Sequence, residues 1–382
     1  PTPLPSELTP APPVPTLTPI PTLSGPLTPG LKIVYWESEP PFTDYATPRD
    51  HLGLATTFWI ADANNVANRR AITTFFRRDP VNAQLSPDET KIAYVVVPPD
   101  AGSRGWIFSA TLWVINVDGT GQRLLDEGVS SGRMGQYPVW SPDSTAVVYN
   151  KNILEPGADP TSARVTTELH MAAIDGSGTR RLLSDTVDIY PLDWSADGRL
   201  LYYLRVPEIW ALEPESGESR PQLSFDRPVA NLPLISPDGL EVLVQFRESR
   251  EPPSSRALMV LSLDGMKRET IAQGAPGGAP GKNYSPIWSP DGTEITTLIP
   301  AQTVGERAEI RSFNKHTREW RTIPAVATTE EQFDIPRAWS PDGEWLLVEH
   351  RPVGRYYLVR TGTGQFQALP EHGGVLIGWI TD

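Results

Sequence analysis

The chain has no cysteine in 382 residues, five histidines, four methionines and no apolar run longer than a strand. Each shortage removes a class of explanation. Without thiols there is neither a disulfide framework nor a thiolate ligand for a metal. His51, His170, His316, His350 and His372 are scattered, and no pair has the local spacing of metal ligands. Runs such as Ile92 to Val97 fall far short of the roughly 20 residues that cross a bilayer as a helix. Positive charge is scarce: 33 Lys and Arg against 46 Asp and Glu give a net charge of −13. That excludes nucleic acid, which needs a basic face, and adhesion to anionic lipid. No G-x-S-x-G elbow is present, since Ser177 lies in a D-G-S-G turn, and residues 274–281, GAPGGAPG, lack the lysine of a phosphate loop.

Turn chemistry, by contrast, is abundant, with 41 prolines and 30 glycines. Residues 137–149 read YPVWSPDSTAVVY, a short strand ending in Trp140, a Ser-Pro-Asp reversal and a second strand. Proline presets φ at the first central turn position, the aspartate bonds back to its own backbone, and a following glycine in sister copies supplies the left-handed residue. The device returns as QLSPDETKIAYVVV from Gln84, LDWSADGRLLYYL from Leu192, PLISPDGLEVLVQF from Pro233, PIWSPDGTEITTLI from Pro286 and RAWSPDGEWLLVEH from Arg337. Its aspartates, Asp88, Asp143, Asp197, Asp238, Asp291 and Asp342, are 55, 54, 41, 53 and 51 residues apart.

Such a period announces a repeat architecture. Within each period a second hairpin supplies two more strands, as in LWVINVDGTGQRLL from Leu112, LHMAAIDGSGTRRLL from Leu169 and LMVLSLDGMKRETI from Leu258, with weaker copies at Ile209, Ile310 and Tyr357. Four antiparallel strands per repeat make a propeller blade. Six motifs give six blades, and the ends supply a seventh. VLIGWITD from Val375 matches the start of the repeat, PGLKIVYW from Pro29 its continuation, and TFWIADANNVANRRAI from Thr57 its third and fourth strands. The fold class is therefore all-β, a seven-bladed β-propeller of four-stranded antiparallel blades. A composite blade from both chain ends closes its ring and leaves no open sheet edge.

The W-S-P-D-G hairpin followed by an apolar strand and a D-G turn resembles the repeat of the TolB-like propeller family, over nearly all of residues 31–382. The resemblance implies the fold. It leaves function open, because relatives with this repeat serve as periplasmic scaffolds, as lids on serine peptidases and occasionally as polysaccharide lyases.

Trp140, Trp194, Trp288, Trp339 and Trp379 recur at one register and are expected to pack between neighbouring blades; the repeated aspartates are expected to shape turns. His170, at the register of Trp113 and Met259, reads as structural. Insertions are uneven. They fall between second and third strands, as at residues 37–53, 98–108, 151–164 and 247–256, or between blades, as at 126–136, 273–283 and 324–334. In a meander blade both loop classes leave from one face, so one face is plain and the other elaborated, and binding is expected on the latter. Just before the inner strands on that side stand Tyr137, Tyr190, Asn231, Tyr284, Asp334 and Arg337, with Asp188 and Asp193 nearby, a candidate funnel for a protein or glycan.

The expected function is a non-enzymatic binding or assembly scaffold without cofactor or bound metal. The alternative is a metal-dependent polysaccharide-degrading enzyme, whose ligands would be His51, His350 and His372 if the first and last blades bring them together. Residues 1–30 form a separate tail with eleven Pro, six Thr and one charge, Glu7, a composition that favours extended polyproline II. The chain starts at Pro1 without a signal sequence, which reads as a processed or truncated form of an exported protein, periplasmic, at the cell surface or extracellular. Residues 1–29 are expected either to space the propeller or to join copies head to tail as a homo-oligomer or filament.

Overall fold

A computed structural model describes residues 30–39, 54–77, 82–98, 108–131, 138–154, 165–247, 256–273, 285–299, 308–324, 333–351, 355–369 and 375–381. The tail, Tyr137, Tyr284, His51, His372 and most of the long insertions lie outside these residues.

The S-P-D hairpins form as their chemistry dictates. In blade after blade the serine hydroxyl donates to the aspartate, Ser141 to Asp143, Ser195 to Asp197 and Ser289 to Asp291, each at 2.6 Å. The same oxygen accepts the N–H that opens the second strand, Ala146, Leu200 and Glu294 at 2.8–2.9 Å. The aspartate in turn accepts the N–H two residues on, from Thr145, Arg199 and Thr293. Glycine then takes the left-handed conformation, with φ of 68° to 70° at Gly198, Gly239, Gly292 and Gly343. Two copies carry side chains there instead, Glu89 at 60° and Ser144 at 59°, and both reach the preceding blade. Ser144 Oγ accepts the Asp88 N–H at 3.0 Å. Glu89 accepts from the backbone N–H and hydroxyl of Thr381 at 2.6 and 3.0 Å.

Twenty-eight strands make seven four-stranded sheets, all antiparallel meanders. Blade 1 is composite as expected: its inner strand is Val375–Ile380 and its outer three are Lys32–Glu39, Leu54–Asp62 and Asn65–Arg77. Lys32 pairs with Ile380 and Trp36 with Val375, so the chain ends close the ring through an ordinary ladder. Blades 2 to 7 follow in order around the ring, spanning 82–129, 139–185, 189–224, 234–273, 287–322 and 333–368.

Seven separate apolar clusters fill the seven seams, and one joins blade 7 to blade 1 through Leu347, Leu358, Ile33, Tyr35 and Trp379. Alternation along each strand divides its residues between two seams, as Leu346 and Val348 face blade 6 while Leu347 faces blade 1. The repeated tryptophans take the expected role, each in the cluster shared with the preceding blade. Trp140 and Trp288 also donate to inner-strand carbonyls of that blade, Gln84 and Leu234, at 3.1 Å. The first-to-second and third-to-fourth turns are short throughout, and the long connections leave from the opposite strand ends, where the connections are short only at 206–207 in blade 4, 352–354 in blade 7 and, between blades, at 78–81 and 186–188.

Candidate functional site

The inner strand of each blade is a sheet edge turned toward the central channel, where proline is tolerated. Pro191, Pro233, Pro286 and Pro336, from blades 4 to 7, border a cavity of about 410 Å³ in that channel. Val139, Leu192 and Ile287 add apolar wall, and Gln84, Asn231, Gln245, Ser285 and Arg337 add polar groups.

Two lining side chains arrive by a break in the repeat. In blade 4 the pairing passes from Pro191 opposite Tyr203 to Asp193 opposite Tyr202, leaving Leu192 as an extra residue. In blade 7 it passes from Pro336 opposite Val348 to Ala338 opposite Leu347, leaving Arg337 extra. Such bulges re-aim a side chain, and both extra residues line the cavity. Arg337 is held in place by Glu349, which accepts from its Nε at 2.9 Å and from its terminal nitrogen. Glu349 is buried, and its other oxygen pairs with Arg351 at 2.5 Å. Ser285 has φ of 44° immediately before Pro286. The other non-glycine residues with positive φ, Glu89, Ser144 and Arg318, sit in hairpin turns, so Ser285 is strained where it borders the cavity.

On blade 5, Gln245 is 3% exposed and lines the cavity. Its Oε1 accepts from Asn231 Nδ2 at 3.1 Å and from Arg256 at 3.2 Å, while its Nε2 has no partner. The segment before the inner strand is fastened there, since the Ala230 N–H donates to the Gln245 carbonyl at 2.7 Å and the Arg247 N–H to that of Pro228 at 3.0 Å.

Asp193 is the one ionisable side chain at the register also held by Gln84, Val139, Leu234, Ile287, Ala338 and Gly378. Its side chain keeps access to solvent, although the chain packed around it removes part of its hydration. Loss of bulk solvation raises its carboxyl above the usual value, against the Trp194 N–H that lowers it.

Of the six funnel residues expected from sequence, Asn231 and Arg337 line the cavity. Tyr190 does not: it is buried in the seam between blades 4 and 5, because its strand alternation turns the ring toward Tyr202 and Phe246. Asp334 is also withdrawn from the channel, 2% exposed and bonded to His350 Nδ1 at 2.7 Å. Tyr137 and Tyr284 lie outside the described residues, as do two of the three histidines considered for a metal, His51 and His372. Among the described residues no three carboxylate or imidazole groups gather closely enough to hold a metal ion. His170 is structural as read, set against Glu168 at 2.8 Å and beside Tyr149. No helix of the described residues is long and apolar enough to cross a membrane. The sequence reading missed Gln245 and Leu192.

No family model and no curated protein sequence matches the chain. Solved structures do. An oligogalacturonate lyase in complex with manganese superposes with a TM-score of 0.55 at 12% identity, covering 88% of this chain and 91% of that one. The periplasmic gluconolactonase of Pseudomonas aeruginosa gives 0.54 at 15% identity, covering 92% and 98%. TolB from Acinetobacter baumannii gives 0.48 at 15% identity over 78% of this chain, which spans 64% of the TolB length. These likenesses are of fold. By its seven seams, its S-P-D hairpins and the strand contributed by the far chain end to its closing blade, the chain is a seven-bladed β-propeller.

Proposed function

We propose that the protein is an exported, non-enzymatic binding scaffold that receives part of its partner, a protein segment or glycan chain, in the channel cavity. One observation carries the reading: the inner-strand bulges of blades 4 and 7 both deliver their extra residue, Leu192 and Arg337, to the same cavity, whereas the matching bulge of blade 1 leaves its extra residue, Ile377, in the seam with blade 2. Loops and bulges on a rigid frame are where recognition resides. Of the carboxylates near the channel, Glu349 serves Arg337 and Arg351 and Asp334 serves His350, which leaves Asp193 without a paired acid or base beside it among the described residues. Arrays of peptides and glycans probed with the full chain, and hits remeasured on variants, test it. Leu192→Trp, which fills the cavity, should weaken a hit more than roughly tenfold, and Thr120→Ala in a plain-face turn should not. Equal affinity for all three proteins would overturn the proposal.

The assembly part of the reading falls to residues 1–29, as an arm that joins one propeller to the next. It leaves the ring at Gly30, beside the short turn in which the Ala63 N–H donates to Leu31. That is the plain face. At about 3.1 Å per residue an extended arm reaches on the order of 90 Å, enough to meet a second ring.

A further inference from the structure

We infer that the blade 5 wall of the cavity is a carboxylate subsite, built from Gln245, Asn231, Arg256 and Arg247. The inference rests on the cavity being a ligand site. Its starting point is the amide of Gln245. Two donors, Asn231 Nδ2 and an Arg256 guanidinium nitrogen, converge on one end of it. That convergence settles which end is oxygen, because the flipped amide would set N–H groups against N–H groups. The other end is therefore an NH₂, buried and without an acceptor, on a side chain that lines the cavity. Leaving a buried donor unmet costs free energy. Packing does not demand it: the corresponding place in other second strands is held by Val95, Leu204 and Leu298 in three blades and by the polar Asn150 and Glu349 in two.

The charges behind the amide point the same way. Arg256 and Arg247 are Cα partners across adjacent strands. Burial first, and then the charge of Arg247, lowers the pKa of Arg256. Among the described residues neither guanidinium forms an ion pair, in a chain whose net charge is −13. Asn231, Gln245, Arg247 and Arg256 thus make a group of donors with two positive charges and no anion. A cation donating to Gln245 Oε1 polarises the amide and strengthens the hydrogen bonds its Nε2 can give.

An anion at Nε2 would satisfy the amide and relieve the repulsion together. The remaining wall selects the kind of anion. Pro191, Leu192 and Val139 of blades 3 and 4 offer apolar surface opposite the donors of blades 5 to 7. A ligand with two oxygens on one side and an apolar body on the other fits, whereas the further oxygens of a phosphate would face proline. The ligand class is therefore a carboxylic acid with an apolar body, a chemistry shared by a free organic acid and a peptide C-terminus.

Calorimetric titration of the full chain at constant ionic strength tests this with N-acetyl-leucine, N-acetyl-leucinamide, the tripeptide acetyl-Ala-Ala-Leu and inorganic phosphate. Gln245→Glu is the decisive variant, because it still accepts from Asn231 and Arg256 while replacing the donor by a second oxygen. The acid should bind roughly tenfold more tightly than its amide. Gln245→Glu should abolish that preference and melt no lower than the parent. Tighter binding of the tripeptide acid than of N-acetyl-leucine would assign the carboxylate to a peptide C-terminus, and the reverse order to a free acid. Acid and amide bound equally, with both lost in Leu192→Trp, would keep the cavity as a ligand site and overturn the carboxylate subsite. Phosphate bound in preference to the acid would overturn it too. No binding by any probe would overturn both readings.

Discussion

At the scale of the residue, the repeated turn and the Asp193 carboxylate respond to acid in opposite senses. Hydrogen bonds from Ser141, Ser195 and Ser289 hold Asp143, Asp197 and Asp291 below the ordinary carboxylate value. A depressed folded pKa means stability that is complete above the unfolded pKa, about 4, and lost as pH falls through the folded values. Asp193 is raised by loss of solvation, so its ionisation opposes folding as pH rises through its folded pKa. Thermal melts should therefore hold steady near neutral pH and fall below about pH 4. Asp193→Asn should melt higher than the parent at neutral pH and the same at strongly acid pH; no gain at neutral pH would mean that water solvates the carboxylate fully. The turn aspartates and seam tryptophans were legible in the sequence because position in a repeat states their role. Tyr190 and Asp334 were misplaced for the converse reason: standing before an inner strand does not say to which side the alternation turns a side chain. Gln245 left only a faint mark, because its register carries Val95, Leu204 and Leu298 in three other copies but Asn150 and Glu349 in two more, so a polar residue there does not single out blade 5.

At the scale of the element, the closing strand is where the ring is least forgiving. A Cβ added at Gly378 would stand 2.6 Å from Leu85 Cβ of blade 2, a contact that only backbone movement relieves. Gly378→Ala should cost about 1–3 kcal/mol in chemical denaturation. Glu89→Ala keeps the left-handed backbone but loses the bonds to Thr381, and because those are exposed its cost should be nearer 1 kcal/mol. Hydrogen exchange at Val375–Ile380 should quicken in both variants, and unchanged exchange would separate the closing strand from the stability of the ring. The composite blade was legible, since each half matches the repeat. The bulges were not, because an extra residue inside a strand leaves the hydrophobic pattern on either side intact. Their trace is one of spacing: proline stands two residues before the seam residue at Pro138, Pro233 and Pro286, and three before it at Pro191 and Pro336.

At the scale of the whole molecule, the arm decides whether the ring acts singly. Light scattering of the full chain and of one beginning at Gly30 should show larger, concentration-dependent particles for the first alone. Two monomers of equal behaviour at high concentration would make residues 1–29 a spacer. The closing ladder has a further consequence under load. Lys32 and Ile380 form its terminal pair, so Gly30 and Thr381 lie side by side at one end of it. Tension drawn between those two points would open the ladder one rung after another, each bond bearing the pull alone, whereas tension along the strands would load all the rungs at once. The ladder that closes the ring is, pulled from that end, a zip fastener, and a partner that tugs there could open the propeller by parting blade 1 alone while blades 2 to 7 stay folded.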